Sequence, residues 1–142
     1  MTTLLLSRAH RAQIEREARE AFPSECCGLL EGAGDGEIIR ITALHPARNL
    51  SSDNDRFEID PAGHFAAIRA ARANGRAIVG CYHSHPNGKP EPSARDAEGA
   101  WGEGFVWLIA AVLGNAVVVR GFARTPEGWQ ALELREIAGN AA

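Results

Sequence analysis

The chain has 142 residues, 45% of them hydrophobic and 23% charged, with a formal net charge of -3. That length suits one domain around a single core, and the balance of apolar to charged residues excludes a disordered chain. Of the 15 Lys and Arg residues only Lys89 is lysine, and the arginines are scattered, which argues against a nucleic-acid or anionic-membrane surface.

No apolar run approaches the roughly 20 residues of a membrane span, and residues 1–6 are too short for a signal-peptide core, so a cytoplasmic protein is expected. Cys26, Cys27 and Cys81 are an odd number with two adjacent, a poor basis for a disulfide framework, and packing is their expected role.

Residues 2–6 read as a strand and Ser7 as the N-cap of a helix through Ala21, with Ile14, Ala18 and Phe22 as its apolar stripe and Pro23 as its end. A strand over 26–30, a glycine-rich turn over 32–36 and a returning strand over 37–44 follow. His45-Pro46 should close that strand. Residues 47–55 are polar and loop-like, with His45 and Asn49 read as ordinary loop residues. A short strand over 56–59 leads to Asp60-Pro61, a cap and first-turn proline, and to a helix over 62–73 that stops at Asn74-Gly75. His10 and His64 sit in helices without ligand-spaced partners.

The next stretch carries the chemistry. Residues 77–82 are apolar and partly β-branched, a buried strand running into His83-Ser84-His85-Pro86. Strand side chains repeat every two residues, so His83 and His85 share a face and Ser84 takes the other. After a turn-rich loop, Ser93-Ala94-Arg95-Asp96 is a helix-start signature, and the helix should be interrupted near Gly99 and end at Gly102-Glu103-Gly104. Each residue alone has a plain reading: a packed histidine, a helix cap. Jointly, two imidazoles and a carboxylate around one point suit a divalent ion of the zinc class, with a fourth position left to water.

Two apolar strands over 105–113 and 116–122 are joined at Gly114-Asn115, a last strand covers 129–137, and residues 139–142 read as a frayed tail. The order β-α-β-β-β-α-β-α-β-β-β predicts an α/β (α+β) domain with a mixed, largely antiparallel β-sheet flanked by helices.

The run His83-Ser84-His85-Pro86, six residues, then Ser93-x-x-Asp96 resembles the signature of the JAMM (MPN-domain) zinc metallopeptidases, at every position. Pro23-Ser24-Glu25-Cys26-Cys27-Gly28-Leu29-Leu30 is similar to that family's upstream glutamate segment, and residues 56–61 to its passage into a helix. The resemblance implies a single such domain over residues 1–142 with a cytidine-deaminase-like layered fold. It implies one Zn2+ held by His83, His85 and Asp96, Glu25 as general base, and Ser93 as donor to the oxyanion. The implied reaction is amide hydrolysis at the C-terminal tail of a ubiquitin-like or sulfur-carrier protein, by a peptidase or isopeptidase of the compact prokaryotic type. An extended tail adding as a strand beside the sheet edge near the metal is the expected binding mode. The family's paired domains make a homodimer a further expectation. The rival reading is a non-catalytic MPN scaffold, although such proteins lack ligands that are all present here. A cupin oxygenase needs a histidine after His85, and a zinc deaminase needs Cys-x-x-Cys; neither occurs in the sequence.

Overall fold

A computed structural model of the chain describes residues 2–98 and 104–138. In chain order the elements are β1 (Thr3–Ser7), α1 (Arg8–Ala21), β2 (Cys27–Gly34), β3 (Ile38–Ala47), α2 (Pro61–Ala73), β4 (Ala77–His85), α3 (Ala94–Glu98), β5 (Val106–Leu113), β6 (Ala116–Thr125), β7 (Gly128–Ala131) and β8 (Glu133–Ile137). The strands form one sheet in the order β7-β6-β5-β4-β2-β3-β1-β8. Pairing is antiparallel at β2/β3, β2/β4, β5/β6 and β6/β7, and parallel at β1/β3, β1/β8 and β4/β5. The mixed sheet with flanking helices is the architecture anticipated from the order of elements.

Strand alternation separates two cores. Leu30, Tyr82 and Leu108 face one way and pack with Ile14 and Ala18 of α1. Their neighbours Leu29, Cys81 and Trp107 face the other way and pack with Ala67 of α2. The central strands are apolar on both faces because a helix covers each, and this explains their near-continuous hydrophobic runs. Gly28 belongs to this packing, since a Cβ there would run into the ring of Tyr82 on the neighbouring strand.

Local signals account for most element ends. The Ser7 hydroxyl accepts the His10 N–H at 3.0 Å, and Asp60 Oδ1 accepts the Ala62 N–H at 3.1 Å, capping α1 and α2. Asp35 Oδ1 accepts from Glu37 and Ile38 N–H at 2.9 and 3.0 Å, tightening the β2–β3 turn.

Four expectations need correction. Phe22 is 53% exposed and lies beyond the end of α1, so the buried stripe of that helix is His10, Ile14 and Ala18. β3 does not close at His45-Pro46 but runs to Ala47. Pro46 is tolerated because β1 pairs only with residues 38–40, leaving that side of β3 unpaired where the missing N–H would fall. Residues 56–59 form no strand; a single bridge from Asn49 to Ile59 is all they pair. The last strand divides at Leu132 into β7 and β8, which pair on opposite edges of the sheet. The end of the helix that starts after Ser93, and the tail over 139–142, lie outside the described residues.

Candidate metal centre

The antiparallel register of β2 on β4 sets Cys27 opposite His83, and carrying it on by two residues sets Glu25 opposite His85. Ser84 locks the join from the other face of β4. Its hydroxyl accepts the Cys26 N–H at 2.8 Å, and its own N–H donates to the Cys26 carbonyl at 3.1 Å. Glu25 is thereby held over the end of β4, although it lies far upstream in the chain. A second anchor is Asn49, whose Nδ2 donates to the Glu25 carbonyl at 2.9 Å while its Oδ1 accepts from Ser51 and Glu58 N–H. Asn49 is thus an anchor of the site and not the ordinary loop residue that its sequence context suggests. Its one sequence signal was its place in a polar loop.

All the residues singled out in the sequence converge here. The Nε2 atoms of His83 and His85 are 3.1 Å apart. Asp96 Oδ1 lies 3.1 Å from His83 Nε2, and Asp96 Oδ2 lies 3.0 Å from His85 Nε2. Donor atoms of Glu25, His83 and His85 fall within 4.8 Å of one another. Ser93 and Asp96 form a reciprocal cap: Ser93 N–H donates to Asp96 Oδ2 at 2.8 Å, and Asp96 N–H donates to Ser93 Oγ at 3.0 Å. The cap holds the Asp96 carboxylate against the two rings.

The donor chemistry fits a cation. His85 Nδ1 donates to the Lys89 carbonyl at 2.8 Å, which turns its Nε2 towards Asp96. The two Nε2 atoms thus meet the Asp96 carboxylate on one hand and lie within 4.8 Å of a Glu25 oxygen on the other, while Glu25 Oε1 is buried with no hydrogen-bond partner among the described residues. Nitrogen and oxygen donors this close are what a divalent ion holds once the ring protons between them have left. Ligand atoms about 2.0–2.1 Å from a tetrahedral zinc lie roughly 3.3 Å apart, close to the separations found here.

Burial shapes the electrostatics. It pushes the Glu25 carboxyl up to about 8, with Asp96 and Asp55 adding to the rise against the pull of His85. Burial also lowers His83, with the His85 ring adding to the fall and Asp96 opposing it. At His85 the opposite balance holds: burial would lower it, but the bonds to Asp96 and to the Lys89 carbonyl raise it. Burial would raise Asp96, yet hydrogen bonds from both histidines hold it well below the usual carboxylate range. Burial raises Cys26 to about 11 and Cys27 to about 12, and it raises Cys81 well above the usual thiol range, which keeps the thiols protonated and part of the packing.

Beside this cluster lies an open cleft of about 270 Å³ lined by Glu25, His85 and Ser93, with Asn54, Asp55 and Arg95 at its more exposed margin. Arg95 lies 3.9 Å from each of Asp53 and Asp55. β4 is paired on both sides, with β2 and with β5, out to His83 and His85. Among the described residues β4 thus offers no free edge at the cluster, and the cleft is the opening beside it.

The family model for prokaryotic homologs of the JAB domain matches residues 7–125. A desampylase of Haloferax volcanii is 36% identical over 145 residues, covering 97% of each chain. A probable TtuB-protein conjugate cleaving protease of Thermus thermophilus is 33% identical over 119 residues, covering 83% of this chain and 70% of that one. The solution structure of a Desulfitobacterium hafniense protein superposes with a TM-score of 0.85 at 30% identity, covering 98% of this chain and 94% of the other.

Proposed function

Since this chain belongs to the prokaryotic JAB-domain family, we propose that it is a zinc metallopeptidase or isopeptidase that hydrolyses an amide bond at the C-terminal tail of a ubiquitin-like or sulfur-carrier protein. The observation that carries the reading is the convergence of two Nε2 atoms and the Asp96 carboxylate at 3.0–3.1 Å beside an open cleft and the buried Glu25 carboxyl, whose Oε1 has no hydrogen-bond partner among the described residues. The protease and desampylase names of its relatives support the reaction class, and the Thermus name supports a protein conjugate as substrate.

His83, His85 and Asp96 would hold the ion. When bound, zinc supplies Lewis-acid polarisation of the carbonyl and a water acidified to a pKa of about 7. Glu25 takes the proton of the attacking water and delivers it to the leaving amine. The Ser93 oxygen already accepts the Asp96 N–H, so its own O–H is left to donate to the oxyanion. The exposed Asn54, Asp55 and Arg95 flank the path of the tail.

The test uses the purified protein with a ubiquitin-like protein extended beyond a Gly-Gly tail and with a lysine-linked conjugate, the cut bond being identified by mass. Cleavage that depends on about one zinc per chain and disappears in Glu25→Ala is the expected result. A folded wild type that takes up no divalent metal, or cleavage unchanged in Glu25→Ala, overturns the proposal.

A further inference from the structure

The two histidines of the centre are fixed by different physics. His85 is oriented by a hydrogen bond from Nδ1 to the Lys89 carbonyl. His83 Nδ1 is buried and meets no hydrogen-bond partner among the described residues. A metal-ligating histidine ordinarily donates its second ring N–H to a carbonyl or carboxylate, and that bond sets the plane of the ring. At His83 aromatic faces take its place.

Phe57 stacks on the His83 ring with centroids 4.4 Å apart and planes 23° apart. Trp107 meets the same ring edge-on at 5.4 Å and 90°. A parallel wall opposes tilting of the imidazole, and a perpendicular wall opposes its rotation in plane. Trp107 is immobilised in turn by Trp129 at 5.3 Å and 77°, and Arg124 lies over that indole at 5.2 Å. Phe57 itself meets Trp107 edge-on at 5.7 Å and 67°. It comes from the 48–60 connection, which is tied down by the Asn49–Ile59 bridge and the hydrogen bonds between Leu50 N–H and the Glu58 carbonyl and between Glu58 N–H and Asn49.

We propose that Phe57 is a positioning residue for His83, so that the metal affinity of the centre depends on a stacked ring delivered by the 48–60 connection. The inference rests on the reading of His83 as a metal ligand. Phe57 carries no ligand atom; it acts through the angle at which His83 Nε2 is presented.

The test compares wild type, Phe57→Leu, which fills the space without a flat face, and Phe57→Tyr, which restores the face. Zinc and cobalt(II) affinities are measured by chelator competition, and the visible ligand-field spectrum of the cobalt form reports ligand geometry. Phe57→Leu should bind both ions about 10–100-fold more weakly, with a changed cobalt spectrum. Phe57→Tyr should recover both readouts. If the leucine variant does not fold, Phe57→Met carries the same expectation. Wild-type affinity and an unchanged spectrum in a folded leucine or methionine variant overturn the inference alone, whereas a wild type that binds neither ion overturns the metal reading and this inference with it.

Discussion

Glu25 sits in surroundings far from those of a carboxyl in water. A carboxyl that is 3% exposed, with one oxygen unpartnered among the described residues and a pKa of about 8, keeps its proton at neutral pH in the metal-free protein. The unfolded chain releases that proton near 4.5, the ordinary value. Between those two values the folded state binds more protons than the unfolded, so unfolding free energy falls as pH rises. In chelator-treated protein, denaturant unfolding at a series of pH values should show Glu25→Gln gaining on wild type from pH 5 to pH 8 and level thereafter. A constant gap would place the group elsewhere. With metal restored, the same variant should retain the ion and lose about 10²–10⁴-fold in kcat. Ser93 makes a separate prediction because its oxygen serves both cap and oxyanion. Ser93→Ala should cost about 1 kcal/mol of stability, read by denaturant unfolding, and a far larger 10²–10³-fold in kcat, read by steady-state kinetics. Glu25 stood out in the sequence only through resemblance, since a lone glutamate before an apolar run carries no mark of burial.

Among the elements, the 48–60 connection does more than its composition suggests. It reads as polar surface loop, and its supposed strand over 56–59 is one bridge, yet it places Asn49 on the Glu25 carbonyl and Phe57 on the His83 ring. The reason is that side-chain hydrogen bonds and one stacked ring replace a strand ladder, and neither leaves a periodic trace. Asn49→Ala removes the donor to Glu25 and both local acceptor contacts. Its metal content by elemental analysis should match wild type, while kcat falls at least tenfold as the base loses its alignment. Equal losses of metal and activity would show that Asn49 supports the whole site rather than Glu25. By contrast, β4 and the cap of α3 were legible residue by residue. Two-residue alternation put both rings on one face, and the Ser-x-x-Asp spacing put the carboxylate in the first helical turn.

At the scale of the molecule, the sheet joins its own two edges. β7 pairs with β6 at one edge, β8 pairs with β1 at the other, and only Leu132 separates them. Leu132 N–H donates to the Gly121 carbonyl at 2.9 Å, and its side chain, 8% exposed, enters the core beneath α1. A strand that alternates in sequence thus changes partners midway and leaves neither edge as a long open ladder. Leu132→Ala should lower unfolding free energy by about 2–5 kcal/mol, measured by denaturant melts, because the seam cannot close over the cavity. A loss below about 1 kcal/mol would mean that the seam is peripheral. The sequence alone determined the two histidines, the aspartate, the capping serine and the alternation of elements, since each depends on residues within one strand or one helical turn. Tertiary structure decided what bears on them: Glu25 over His85 through the β2–β4 register, Asn49 and Phe57 through a folded-back connection, and the division of the last strand between two edges. Those depend on pairings between distant segments, whose register follows from how both faces of the sheet pack, and local periodicity does not carry that information.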